Sequence, residues 1–200
     1  MNLPRVAAVV LAAGSSSRLG QPKQLIEFEG QTLIRRTVGT VIASMVDLVV
    51  VTTSVNGIGF EEELEGMKWT RAVVENPQLG QSESVKAGLH AVEARGGFDA
   101  ILLTPCDLPL LSISHLNELI ATYQSGKWDI VASRYGGTLG APLIVGRELW
   151  PELHELRGDV GVRKILPAHL QTTAAVMWEE GKFDIDTPKD IKMLTSRGGS

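Results

Sequence analysis

Runs of apolar, largely β-branched residues alternate along this chain with segments whose apolar positions recur at helical spacing. That alternation predicts repeated βαβ units and a largely parallel sheet, because strands buried on both faces read as continuous apolar runs. The first strand is predicted over 6–12, with others over 46–53, 71–75, 100–104, 130–133, 142–145 and 174–178. A helix over 32–44 would bury Ile34, Val38, Val41 and Ile42, and one over 113–123 Ile113, Leu116, Leu119, Ile120 and Tyr123. Another begins at Ser82, a candidate cap, and runs through Val85, Leu89 and Val92. Short helices are predicted over 150–156 and 161–166, and a last one is capped by Thr187 with Pro188 at its first position. No repeat, low-complexity stretch or linker divides the chain. Residues 1–200 are therefore read as one α/β domain, with 197–200 as a frayed tail.

Composition narrows what such a domain can do. The formal net charge is -4 and no long basic run occurs, so the electrostatic footprint of a nucleic-acid binder is missing. An anionic ligand would have to be held by a few local cations. The single cysteine, Cys106, excludes an internal disulfide framework and suits a reducing cytosol. His90, His115, His154 and His169 show no metal-ligand spacing along the chain. The apolar run 6–13 follows Arg5 much as a short secretory signal would. It is too short to span a membrane and breaks at Gly14 into a polar loop, so it is read as a buried strand. The expectation is a cytoplasmic protein without membrane or nucleic-acid partners.

In open α/β sheets, ligands bind beyond the carboxyl ends of the strands. Three polar clusters fall at such ends: 14–23, 76–84 and 106–109. The first is Leu11-Ala12-Ala13-Gly14-Ser15-Ser16-Ser17-Arg18-Leu19-Gly20-Gln21-Pro22-Lys23. Its small residues let backbone N–H groups approach an anion, and Arg18 and Lys23 add full positive charge. Two familiar phosphate loops are absent, since Lys23 is followed by Gln24 and no G-x-G-x-x-G occurs. The second cluster, 76–84, offers amide, hydroxyl and backbone groups at a helix start, suited to a base and a ribose. In the third, Asp107 closes a buried strand and, with Asp186 from Asp184-Ile185-Asp186, would give a hard divalent cation its two carboxylates.

The segment 11–23 resembles the signature of the MobA-like NTP transferases, which build molybdenum cofactor dinucleotides and sugar nucleotides. Within that superfamily the likeness is greatest to the molybdenum cofactor cytidylyltransferases, and it runs through 76–84, 106–109, 140–142, 158–161 and 184–190. The resemblance implies a single Rossmann-like nucleotidyltransferase domain, a mostly parallel sheet flanked by helices, of the nucleotide-diphospho-sugar transferase type. It implies catalytic roles for Lys23 and Arg18, and Mg²⁺, with Mn²⁺ able to substitute, on Asp107 and Asp186; Asp184 could exchange roles with Asp186. Nucleotide contacts would come from Leu11, Ala12, Ala13, Gly14, Ser15, Arg18, Lys23, Asn76, Gly80, Gln81 and Ser82, and the acceptor pocket would be bordered by Gly140, Pro142 and Asp159.

The same likeness implies transfer of CMP from CTP to the phosphate of molybdopterin cofactor, with transient contact to a recipient molybdoenzyme. Ala13, where guanylyl members carry glycine, favours CTP. Leu108, where many cytidylyl members carry glutamine, departs from that pattern and leaves GTP open. Two other readings are a guanylyl- or sugar-phosphate nucleotidyltransferase of the same fold, and a non-catalytic molybdenum cofactor carrier. A carrier has no need of a metal–triphosphate site.

Overall fold

The computed structural model describes residues 3–14, 21–55, 59–185 and 190. Strand β1 (Val6–Leu11) is an interior strand, third in order, of a seven-stranded sheet and is buried along nearly its whole length, as its unbroken apolar run predicts. It pairs in parallel with β4 (Leu48–Ser54) on one side and β6 (Ala100–Pro105) on the other. Strand β5 (Thr70–Val74) extends the parallel half beyond β4. Across β6 the sheet continues with β8 (Thr138–Gly146), β7 (Ile130–Tyr135) and β9 (Thr173–Met177). Only β8 runs against the others: it is antiparallel to β6 and β7, while β9 is parallel to β7. A short hairpin of β2 (Glu27–Phe28) and β3 (Gln31–Thr32) stands apart from this sheet.

Helices cover both faces. On one, α1 (Leu33–Ile42) and α3 (Ile113–Gln124) bury Ile34, Val38, Leu116 and Leu119 against Val6, Ala8 and Val10. On the other, α2 (Gln81–Arg95) and α4 (Trp150–His154) bury Val85, Leu89 and Leu153 against Ala7 and Val9. The alternation of β1 side chains between these two cores is the period-2 geometry of a strand. Helix α2 sits hard on β1, because a Cβ on Gly88 would stand 2.3 Å from a methyl of Val9. None of the described helices is long and apolar enough to cross a membrane.

Three sequence expectations need correction. Ser82 does not cap α2: Gly80 holds the N-cap position, and the buried Ser82 hydroxyl has no hydrogen-bond partner among the described residues. Residues 161–166 do not form one short helix but contribute to two 3-10 turns, Val162–Lys164 and Leu166–Ala168. Pro167 explains the break, since proline removes an N–H and disfavours α-helical backbone in the residue before it. The strand expected over 142–145 is longer, and with β7 it makes a hairpin turning on Gly136 and Gly137, both at positive φ. The Thr187 helix start and the 197–200 tail lie outside the described residues.

Candidate functional site

Strands β5, β4, β1 and β6 are mutually parallel, so their carboxyl ends open on one edge of the sheet. The described parts of the three polar clusters therefore lie toward that edge, as the strand-end rule requires. After β1 the chain passes through Ala12 and Ala13, both buried, to Gly14, which is exposed with open space where a Cβ would stand. The Ala12 amide donates to Thr52 Oγ1 at 3.0 Å. Gln24, fully buried, donates its amide group to the carbonyls of Ala12 at 2.6 Å and Gly14 at 2.9 Å. Gln24 thus props the start of the loop from beneath. Sequence reasoning used this residue only to exclude a Walker motif; a glutamine following the loop lysine carries no local signal of such a contact. Ser15 and Arg18 lie outside the described residues.

Lys23 begins a single 3-10 turn, Lys23–Leu25, entered through Pro22. Its Nζ pairs with Asp107 Oδ2, joining residues 84 positions apart. Asp107 is 7% exposed and stands just beyond β6. Two side chains of α1 fix this segment: Thr37 donates to the Cys106 carbonyl at 3.3 Å and Arg36 to the Pro109 carbonyl at 2.7 Å. Helix α1 therefore orients the loop that carries the carboxylate. Burial pushes the Cys106 thiol up to about 12, with the Asp107 carboxylate adding to the rise, so the sulfur stays protonated and serves packing.

The far end of the chain returns to the same place. Ile185 donates its amide to the Asp107 carbonyl at 3.2 Å, and Asp184 lines the cavity that Asp107 lines. Asp107 and Asp184 thus offer the carboxylate oxygens a hard cation selects. Asp186 lies outside the described residues.

That cavity has a volume of about 330 Å³ and is floored by Leu11, Leu103 and Leu143, with Arg163 and Lys182 at its polar side. Arg163 donates to the Tyr135 hydroxyl at 3.2 Å, and its guanidinium stands 5.7 Å from the centre of that ring. Burial raises the Tyr135 phenol above its ordinary value; Arg163 opposes the rise and Asp184 adds to it. The phenol remains protonated and keeps an O–H to donate. Gly140 makes this pairing feasible, since a Cβ there would come within 2.4 Å of the Tyr135 oxygen and 2.5 Å of an Arg163 nitrogen. The sequence offered no pattern that singled out Tyr135 or Arg163, because Arg163 reaches the end of β7 from a 3-10 turn 28 residues further along the chain.

The remaining candidates divide. Gln81 lines the cavity together with Gly161, which lies so close that a Cβ on it would meet Gln81 Oε1 at 2.4 Å. Gly80, at φ +105, sits under the backbone of Gly158 and Asp159, and Ser82 donates its amide to the Gly158 carbonyl at 3.2 Å. The 76–84 and 158–161 clusters are therefore one packed unit. Asn76 is exposed; its side chain accepts a 3.3 Å bond from Gln78 and its carbonyl a 3.0 Å bond from the Leu79 amide. The Asp159 side chain is exposed and lies off the cavity lining. Pro142 is buried, its carbonyl accepting a 2.6 Å bond from Ser133; it is Ala141 that lines the cavity, where the β7–β8 register jumps from Ala132↔Leu143 to Ser133↔Gly140. Behind this bulge, His115 Nε2 lies 2.7 Å from Ser133 Oγ and its ring stacks on Trp178. Burial lowers His115 to about 4, so it is neutral, and because Ser133 gives its hydroxyl hydrogen to the Pro142 carbonyl, the tautomer with the hydrogen on Nε2 completes the bond to Ser133.

The chain is 29% identical to the purine catabolism protein PucB of Bacillus subtilis, over 97% of this chain and 98% of that one. It is also 29% identical to a probable molybdenum cofactor guanylyltransferase of Nostoc sp., over 94% and 90%. The crystal structure of Rv0371C from Mycobacterium tuberculosis in complex with manganese superposes with a TM-score of 0.79 at 25% identity, covering 96% of this chain and 98% of that one. The profile described as MobA-like NTP transferase domain matches residues 8–173, so the chain belongs to that family and is a nucleotidyltransferase.

Proposed function

We propose that this enzyme transfers CMP from CTP to the terminal phosphate of a molybdopterin-type cofactor, releasing pyrophosphate. The observation that carries the reading is the pairing of Lys23 with Asp107, a carboxylate that lines the same cavity as Arg163 and Tyr135. One side suits a triphosphate and the other a second anion with an apolar body.

A terminal phosphate oxygen of the acceptor attacks the α-phosphorus in line, the new P–O bond forms, and the bond to the pyrophosphate oxygen breaks. Attacker and leaving group are both anionic, so no dedicated base is needed; positioning and neutralisation of charge do the catalytic work. Asp107 with Asp184 or Asp186 would hold Mg²⁺ or Mn²⁺, which supplies charge neutralisation and alignment of phosphate oxygens when bound. Lys23 would leave its pairing with Asp107 to stabilise charge at the α-phosphate. Arg18 would hold the β- and γ-phosphates, and Ser15 the backbone cradle. Arg163 and Tyr135 donate to the acceptor phosphate, while Leu103 and Leu143 flank its apolar part.

Ala13, where guanylyl members usually carry glycine, supports CTP over GTP. Guanylyl transfer is the second reading, favoured by Leu108 and by the guanylyltransferase name of the Nostoc relative. Pyrophosphate release with CTP or GTP, Mg²⁺ and molybdopterin cofactor, with mass analysis of the product, separates the two. A cytosine dinucleotide is expected; a guanine dinucleotide with CTP inert would overturn the cytidylyl assignment. Delivery of the product to a recipient molybdoenzyme would follow by transient contact.

A further inference from the structure

Helix α2 presents His90 and Glu93, one turn apart, toward His154 of α4. One ligand atom from each of the three residues falls within 4.8 Å of the others. Glu93 Oε1 lies 3.1 Å from His154 Nε2, and the two imidazole rings stack with centroids 4.8 Å apart. We propose that His90, Glu93 and His154 form a surface site for a borderline-soft divalent ion of the zinc class, clamping α2 to α4 and separate from the nucleotide site.

The donor set is the first reason. Two neutral imidazoles and one carboxylate match zinc chemistry, whereas magnesium and calcium select oxygen ligands. Spacing is the second. Bonds of about 2.0–2.1 Å in a tetrahedron set ligand atoms about 3.4 Å apart, close to the present His154–Glu93 separation. A rotation of the exposed His90 side chain has to close only about an ångström and a half. The third reason is what now lies between the ligands: the hydrogen bond joining His154 Nε2 and Glu93 Oε1 occupies the place where the ion would bridge them. Three protein ligands leave one position for water.

Residues three apart on one helix face the same way, which the sequence contains; the third ligand arrives only because α4 packs on α2 beyond β8. The same packing joins α2, whose first turn carries Gln81, to the α4 segment that leads into 158–161. An ion here would therefore brace the two elements that meet at the cavity without entering it.

The test is calorimetric titration of chelator-treated full-length protein with ZnCl₂, in parallel on Asp107→Asn, which removes the carboxylate of the nucleotide site. One equivalent is expected to bind both proteins. Affinity should drop at least tenfold in His154→Ala and His90→Ala, with Glu93→Gln as the conservative third variant and circular dichroism to establish folding. At a free zinc concentration tenfold above Kd, the wild-type melting midpoint should rise by about 3–6 °C, a shift absent from the histidine variants. Cobalt(II) should give tetrahedral visible bands that Asp107→Asn keeps and His154→Ala loses. Undiminished zinc affinity in the folded histidine variants, or zinc binding abolished by Asp107→Asn alone, would overturn the assignment. Neither outcome depends on which nucleotide the enzyme uses.

Discussion

On the side of β1, β4 and β6, the cleft is walled by parallel strands whose carboxyl ends hand the chain to short polar loops, and Lys23 and Asp107 stand where those loops meet. On the side of β7, β8 and β9, the wall is a bulged antiparallel hairpin, and its functional groups, Tyr135 and Arg163, lie on the strand and on a 3-10 turn rather than on strand-end loops. The first half is a scaffold that places charge by topology alone. The second places it by close packing around glycines: Gly140 admits the Tyr135–Arg163 pair, and Gly181 lies so near Tyr135 and Trp178 that a Cβ would come within 2.6 Å of each. In the proposed function the nucleotide meets the half placed by topology, and the acceptor the half placed by close packing.

Four measurements would break or sharpen that contrast. The largest effect is expected from Lys23→Ala, where loss of one fixed cation should lower turnover about a hundredfold or more, on the order of 3 kcal/mol, in a pyrophosphate-release assay. Near-normal turnover in the folded variant would remove the nucleotide half from the chemistry. Arg163→Ala should act on the other half alone. Losing a charged hydrogen bond of about 1.5–3 kcal/mol raises KM for the acceptor roughly tenfold to a hundredfold, with KM for the nucleotide unchanged. Equal effects on both substrates would erase the division of labour drawn here.

The third variant probes the scaffold rather than the chemistry. Gly88→Ala forces a methyl group into the α2–β1 contact, at a cost of about 1–3 kcal/mol for overpacking. The melting midpoint should drop by about 3–10 °C; an unchanged midpoint would mean that α2 can lift from the sheet freely. The smallest effect concerns His115, which braces the hairpin bulge. Its folded value of about 4 lies below the ordinary 6.5, so between these values the unfolded chain binds the extra proton. This contribution is fully present above pH 6.5 and is lost as pH falls toward 4. His115→Gln should flatten the decline of the melting midpoint across that window; a decline as steep as in the parent would assign it to other groups.

What was legible in the sequence follows the same division. The apolar runs at 6–12 and 100–104 predict buried parallel strands, and the polar residues following them predict a ligand edge; Lys23 and Asp107 were nameable before any coordinates. Boundaries were less legible. Ser82 has the composition of a helix cap, yet Gly80 takes that place because its positive φ and lack of a Cβ let the 158–161 segment pack on the helix start. The family resemblance points to Asp159 and Pro142, but the cavity is lined by Ala141, Gly161 and Arg163.

The sequence by itself determined the order of strands and helices, the two-sided burial of the sheet and the identity of the charged groups at its polar edge, because hydrophobic periodicity and strand-end chemistry are local properties. Only the tertiary structure decided which distant residues share a cavity: Gln24 beneath the loop, Ile185 against Asp107, Arg163 over Tyr135, and His154 beside His90 and Glu93. Those contacts depend on how helices seat on the sheet and where a hairpin bulges, and no short stretch of chain encodes either.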